Sequence, residues 1–416
     1  MIQFSKKSLA QSGKRALVSA FVLVAMSASF MVADQQPAHA AEDFTVTTTL
    51  DTDDHVCNAA HCSLREAIIA ANADPGADTI KFDISGSGVK TIKPGSELPP
   101  LFDGTSIDGY SQPGSFDNGT NHPRSVTSAQ PLIQLDGSEA GSLSDGLQIF
   151  GSNLTVKGLV INRFGSSGID IEDQLGPGND AVNVSLEGNF IGTDPTGIQD
   201  LGNGFAGVDV SGGGFTVVGG SQLEDRNLIS GNGADGVFVD ADDSLIQGNL
   251  IGLKKDGSAL GNSRDGVRVD SGEGNRIKQN AISFNGELGI DLDGDGASAN
   301  DAGDLDSGPN GLQNKPVIGR ATTGGAGTTI KGSLNSTPNE TFIVEFHANT
   351  AGESEGLVLL GEQSVATDAS GKAAFTFKPD TKVPRGLLVT ATATGPSDFL
   401  GNTSEFSAAK KVVRPR

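Results

Sequence analysis

The chemistry-bearing residues of this chain recur at one place in a short phrase. Five copies read Gly168-Ile169-Asp170-Ile171, Gly207-Val208-Asp209-Val210, Gly236-Val237-Phe238-Val239, Gly266-Val267-Arg268-Val269 and Gly289-Ile290-Asp291-Leu292, and Gly146-Leu147-Gln148-Ile149 is an earlier one. Gly, apolar, variable, apolar is the period-two pattern of a strand that buries its apolar residues and turns the variable one outward. In chain order the outward residues are Gln148, Asp170, Asp209, Phe238, Arg268 and Asp291. The next outward position gives Glu172, Ser211, Asp240, Asp270 and Asp293. Asp170 and Asp209 on neighbouring strands, with backbones about 4.8 Å apart, would repel. One pKa would rise, and the two would become an acid–base pair. Asp170, Asp209 and Arg268 are therefore the candidate catalytic set if the chain is an enzyme. The same polar ribbon also serves a plainer need, since a solenoid must present polar groups to water.

A second cluster follows the last phrase. Residues 291–310 hold Asp291, Asp293, Asp295, Asp301, Asp304 and Asp306. Asp-x-Asp-x-Asp-Gly matches the first half of an EF-hand loop, but the position of the bidentate acid is Ala302, so no EF-hand is present. Six carboxylates so close repel unless water or a cation lies among them. The expectation is Ca²⁺ on Asp291, Asp293 and Asp295, with Asp301 or Asp304; the alternative is a solvated acidic linker. No other cofactor is expected. Cys57 and Cys62, the only cysteines, are expected to form a local disulfide in an exported chain.

The elements that position these groups are short and repeated. A second phrase alternates with the first: Val160-Ile161-Asn162, Asn189-Phe190-Ile191-Gly192, Asn227-Leu228-Ile229-Ser230, Asn249-Leu250-Ile251-Gly252 and Asn280-Ala281-Ile282-Ser283. From Ile161 to Gly168, Ile229 to Gly236 and Ile282 to Gly289 the interval is 7 residues, and from Ile191 to Gly207 and Ile251 to Gly266 it is 16 and 15. Every second coil thus carries an extra loop at one corner, residues 192–202 and 252–261. Such periodicity without a helical pattern predicts a solenoid, and its strand lengths predict a parallel β-helix. Stacked coils place Asn189, Asn227, Asn249 and Asn280 in one ladder and Asn203, Asn232, Asn262 and Asn285 in another.

Around this core, residues 1–40 read as a secretory signal peptide: a basic start at Lys6, Lys7, Lys14 and Arg15, an apolar run, and Ala38-His39-Ala40. Residues 41–416 hold 25 Lys and Arg against 50 Asp and Glu, which disfavours a nucleic-acid partner. No later apolar run is long enough to span a membrane. Ser63-Leu64-Arg65-Glu66 is a capping box, and Leu64, Ala67, Ile68 and Ala71 form one apolar helix face. Residues 315–416 alternate as strands joined by turns, the pattern of an immunoglobulin-like β-sandwich.

Cys62-Ser63-Leu64-Arg65-Glu66-Ala67-Ile68, then Asp78-Thr79-Ile80-Lys81-Phe82 and Ile107-Asp108-Gly109-Tyr110-Ser111-Gln112-Pro113-Gly114, resemble the start of the CSLREA-domain secreted bacterial β-helix proteins. The resemblance continues through the coils to Gly401-Asn402-Thr403-Ser404-Glu405-Phe406. It implies an all-β chain: cap at 41–76, right-handed parallel β-helix at 77–293, acidic linker at 294–314, sandwich at 315–416. It implies a secreted or surface protein with no assigned reaction. The adjacent Asp pair with Gly-His-Gly of polygalacturonases is absent, since the coils hold only Asp242-Asp243 and no His; the Asp-Pro-His-Asp of uronate epimerases is absent too. The leading expectation is a monomeric scaffold for extracellular binding or adhesion to a polysaccharide or cell-surface component. The alternative is a lyase, epimerase or glycoside hydrolase acting on acidic polysaccharide.

Overall fold

The computed structural model describes residues 41–102, 104–119, 126–173, 181–395 and 401–415. The expected signal peptide and residues 120–125 of the expected projecting loop lie outside the described residues. Residues 41–293 wind through three parallel sheets of eight, seven and six strands, with one strand of each sheet in a regular coil. The first sheet runs from Asp43–Val46 to Arg276–Lys278 and the second from Lys90–Ile92 to Ala281–Ile282. The third holds Leu147–Ile149, Ile169–Ile171, Val208–Val210, Val237–Asp240, Val267–Ser271 and Ile290–Leu292. The apolar residues of the Gly phrase fill the interior: Ile169, Ile171, Val208, Val210, Val237 and Val239 are fully buried. Each such side chain contributes about 1.5–3 kcal/mol.

The leading glycine of the phrase is set by close approach. A Cβ on Gly207 would stand 2.7 Å from the carbonyl oxygen of Gly236, and one on Gly236 would stand 2.6 Å from that of Gly266. Both Asn ladders form in the expected order. Nδ2 of Asn189, Asn227 and Asn249 donates to Oδ1 of Asn227, Asn249 and Asn280 at 3.1, 2.9 and 3.1 Å. Nδ2 of Asn203, Asn232 and Asn262 donates to Oδ1 of Asn232, Asn262 and Asn285, each at 3.0 Å. Each amide thereby satisfies corner backbone groups that the sheets leave unpaired.

The two corner loops decide which face is free. Outward Phe190, Leu228 and Leu250 of the second sheet pack with Leu253 and Ala129 into a small core of their own. Lys255 of the second loop donates its backbone N–H to Gly197 of the first at 2.8 Å. The second sheet is therefore covered, and the third keeps its outward row of polar groups.

The helix Leu64–Ala73 begins with the expected capping box, Ser63 and Glu66 bonding reciprocally. Leu64, Ala67, Ile68 and Ala71 join the same core as the coils. Cys57 and Cys62 are disulfide-bonded. Among the described residues no helix is long and apolar enough to cross a membrane.

Residues 317–413 form one continuous seven-stranded sheet. Its order is Val358–Ala366, Thr341–Asn349, Leu388–Thr394, Lys410–Val413, Val317–Gly324, Gly327–Asn335, Lys372–Phe377. Its pairings are antiparallel except that of Val317–Gly324 with Lys410–Val413. Phe346, near one edge, stacks on Phe377, at the other, with ring centroids 4.2 Å apart. The sheet curls until its two ends share a core, so the strands expected as an immunoglobulin-like sandwich are joined in a barrel-like wrap.

Coils and C-terminal sheet make one compact unit. Ile282 and Gly356 exchange backbone hydrogen bonds of 3.1 and 2.8 Å. The Asn ladder ends on the C-terminal sheet region, Asn285 Nδ2 donating to Glu355 Oε2 at 3.0 Å. Gln279 N–H donates to Glu345 Oε2 at 2.9 Å. The segment expected as an acidic linker is pinned at several points. Asp304 accepts from Asn314 N and Gln313 Nε2, both at 2.8 Å, and from the Ser336 hydroxyl.

Candidate functional site

The outward row of the third sheet has the register read from the sequence. Gln148 pairs with Asp170, Asp170 with Asp209, Asp209 with Phe238, Phe238 with Arg268 and Arg268 with Asp291. Asp170 and Asp209 are thus direct neighbours, about 4.8 Å apart along the stack. Arg268 lies two rungs beyond Asp209, with Phe238 between them, so the candidate catalytic set is a pair and not a triad.

The pair sits in a nest of acids. Burial pushes Asp170, only 6% exposed, up to about 8, and the nearby carboxylates of Asp209, Asp145 and Glu172 add to the shift. Burial also raises Asp209, to about 6; the Ser211 hydroxyl, donating at 2.5 Å, opposes this, and Asp145, Glu172 and Asp240 reinforce it. Both carboxyls are raised toward neutrality, Asp170 further than Asp209, which is the kind of separation that divides an acid from a base.

Beyond the pair lies an apolar platform that the sequence reading missed. Phe205 and Phe238 have ring centroids 6.3 Å apart. Phe205 is 40% exposed. The Arg268 guanidinium lies over Phe238, 5.6 Å from its centroid, and is held there by Asp270 through Nε at 3.1 Å. Phe205 precedes its phrase by two residues, and only the stacked coil brings it beside Phe238.

A buried acid row behind the ribbon was also missed. Asp145, Asp235 and Asp265 each precede a phrase glycine, and that repeated Asp-Gly was the available signal. Their Oδ1 atoms accept the backbone N–H of Ser167, Asp265 and Leu288 at 2.7, 2.9 and 2.7 Å. Oδ2 of Asp235 and of Asp265 is buried with no hydrogen-bond partner. Burial, with Asp291, Asp235 and Glu287 nearby, pushes Asp265 up to about 7 against the hydrogen bond from Leu288.

The expected calcium ligands divide. Asp291 is buried at the end of the row, with Oδ2 accepting from Gly296 N at 3.2 Å. Asp293 and Asp295 are exposed. Asp301 and Asp304 instead join Asp306, with one carboxylate oxygen of each within 4.8 Å of the others. Asp54, His61 and Glu66 form the other such group among the described residues, and there Glu66 is already committed to Ser63 and Asp54 backbone N–H groups.

No protein-family model matches the chain, and no curated protein matches it. Solved structures that align with it include three phage tailspikes. Tailspike protein 2 of Escherichia coli O157:H7 bacteriophage CAB120 is 12% identical over 80% of this chain and 59% of its own, with a TM-score of 0.17. Tailspike gp49 of Acinetobacter baumannii bacteriophage Fri1, described as a capsular polysaccharide depolymerase, is 8% identical over 80% of this chain and 78% of its own, with a TM-score of 0.16. The Dettilon tailspike gp208 is 11% identical over 79% and 90%, with a TM-score of 0.14. The chain spans about 59% of the length of the first of these. Superpositions this poor say nothing about the activity of this chain.

Proposed function

We propose that this protein is an exported, right-handed β-helix scaffold of the CSLREA group whose third sheet binds an extended saccharide. The observation that carries the reading is the platform of exposed Phe205 and half-buried Phe238 beside Arg268, with Phe238 on the same row as the Asp170–Asp209 pair. A sugar ring packs its C–H face on an aromatic ring and offers hydroxyls to carboxylates and guanidinium, so the row supplies both contacts. In this reading the helix Leu64–Ala73 is the lid of the first coil, which solenoid ends require. The curled C-terminal sheet serves as an attachment module, and Ca²⁺ on Asp301, Asp304 and Asp306 fixes the segment that joins it to the coils. The test is a glycan array on the protein without its first 40 residues, with and without Ca²⁺. Phe238→Ala and Phe205→Ala should each weaken the strongest hits by roughly three- to tenfold, in line with loss of an aromatic contact. Hits that ignore both changes, or an array with none, would overturn the proposal.

A second reading, hydrolysis of the bound glycan, is favoured by one observation: Asp170 and Asp209 are paired directly on neighbouring rungs, where burial raises both carboxyls. Asp170 would deliver its proton to the leaving glycosidic oxygen while Asp209 attacks the anomeric carbon to form a glycosyl ester, which water then hydrolyses with Asp170 as base. Neighbouring rungs, with backbones about 4.8 Å apart, can bring the two carboxyls to the roughly 5 Å this retaining route needs. Release of reducing ends that Asp170→Asn and Asp209→Asn each abolish, with binding kept, would support it.

A further inference from the structure

Charge is divided unevenly along the chain. Residues 41–314 hold 14 Lys and Arg against 41 Asp and Glu, whereas residues 315–416 hold 11 against nine. On the outer face of the C-terminal sheet, three of those cations gather with hydroxyls around a groove of about 460 Å³. Arg320, Lys331 and Lys378 stand with Thr322, Thr329 and Thr376, on strands Val317–Gly324, Gly327–Asn335 and Lys372–Phe377 and just past the last. The register sets Arg320 directly opposite Lys331, Thr322 opposite Thr329, and Lys331 opposite Thr376. Like charges facing across a strand pair destabilise it. Among the described residues, none of the three cations has an ion pair or a hydrogen bond from its side chain. A folded chain so rich in acids thus leaves an uncompensated cationic groove on one sheet.

The geometry points to an anion-binding groove for an acidic polysaccharide, a second glycan surface distinct from the third sheet of the coils. Cations answer the carboxylates of the chain, and the three threonine hydroxyls donate to and accept from ring hydroxyls. The groove holds no aromatic side chain. That disfavours single-stranded nucleic acid, which needs bases stacked on aromatic rings. The acidic coils repel a polyanion, which favours its approach at this end of the molecule. The carbohydrate chemistry of the two surfaces is then opposed: the coil face suits neutral or cationic sugars, and the sheet groove suits acidic ones. The inference stands apart from the reading of the coil face, since it uses none of the same residues.

The test uses the chain without residues 1–40 and polygalacturonate as the probe, with binding followed by calorimetry at 50 and 500 mM NaCl. Binding is expected at low salt and should weaken at least tenfold at high salt. The triple variant Arg320→Gln, Lys331→Gln, Lys378→Gln should lose binding at least tenfold. Lys382→Gln with Arg385→Gln, exposed cations outside the groove, should keep it, and so should Phe238→Ala. Absence of binding at low salt, or equal binding by the triple variant, would overturn the inference. Equally tight binding of duplex DNA would show mere attraction of polyanions and overturn it too. Dimers seen by light scattering without polymer, and lost in the triple variant, would assign the groove to a second copy instead.

Discussion

Glu345 offers a decisive test of how the coils and the C-terminal sheet are joined. Its side chain is 3% exposed, on the strand Thr341–Asn349, and faces the last coil. Oε2 accepts from Gln279 N at 2.9 Å, Oε1 has no partner, and His347 Nε2 lies 3.9 Å from Oε2. Burial pushes Glu345 from 4.5 up to about 7; Glu362 adds to this, while the Gln279 hydrogen bond, Lys278 and Arg276 oppose it. The folded protein therefore keeps a proton between pH 4.5 and 7 that the unfolded chain has released. Stability from this group is full below pH 4.5 and is lost as pH rises through 7. A rise of about 2.5 units corresponds to about 3 kcal/mol. His347 runs the other way: burial lowers it from 6.5 to about 4, so its share is full above pH 6.5 and is lost as pH falls through 4. Glu355 and Asp265, both raised to about 7, share the sign of Glu345. The informative quantity is thus wild type against Glu345→Gln, which keeps the acceptor for Gln279 and removes one titration. Urea unfolding at pH 5, 6, 7 and 8 should show wild type losing about 2.5 kcal/mol more than the variant across that range. Parallel pH profiles would mean that Glu345 is ionised and solvated, and the junction would not be as packed as described.

Three further outcomes follow from particular contacts. Asn227→Leu removes hydrogen bonds with Asn249, Leu186 and Asn189 and should cost about 3 kcal/mol, against a clearly smaller loss for Phe238→Ser; equal urea midpoints would refute the ladder. Cys57→Ser with Cys62→Ser opens a link of sequence separation 5 and should cost about 2 kcal/mol by chain entropy; an unchanged midpoint would show that the helix needs no tether. Millimolar Ca²⁺ should raise the melting temperature, and Asp301→Asn with Asp304→Asn should abolish the rise; a wild type indifferent to Ca²⁺ would leave the acids simply solvated.

What could be read from the sequence is what a parallel stack repeats. The Gly and Asn phrases recur because each coil sits on a copy of itself, so the order Gln148 to Asp291 and both Asn ladders followed from spacing alone. The helix was legible for a local reason, since Ser63 and Glu66 lie within one turn. Features made by distant segments were not legible. Asp170 and Asp291 read as outward, and the register puts them there, yet both are buried in the folded chain. The Phe205–Phe238 platform joins residues from two coils. The Asp-rich stretch read as ligands for one ion, but Asn314 and Ser336 draw Asp304 away from Asp291. Strand order in the C-terminal sheet depends on pairings such as Ala321 with Val412, far apart in the chain.

The corner loops carry a consequence for how such a molecule can grow. The loops at 192–202 and 252–261 touch each other, Lys255 to Gly197, across the intervening coil that has none. Lys255 also reaches the carbonyl of Ala129 at 2.6 Å, so an earlier segment is part of the same seam. A tandem duplication of a single coil would throw the loops out of phase and expose the apolar row they cover. A duplication of two coils would keep every loop over its proper neighbour and lengthen the rod by about 10 Å. Gene-level lengthening of this scaffold should therefore proceed in coil pairs, with the two ends untouched.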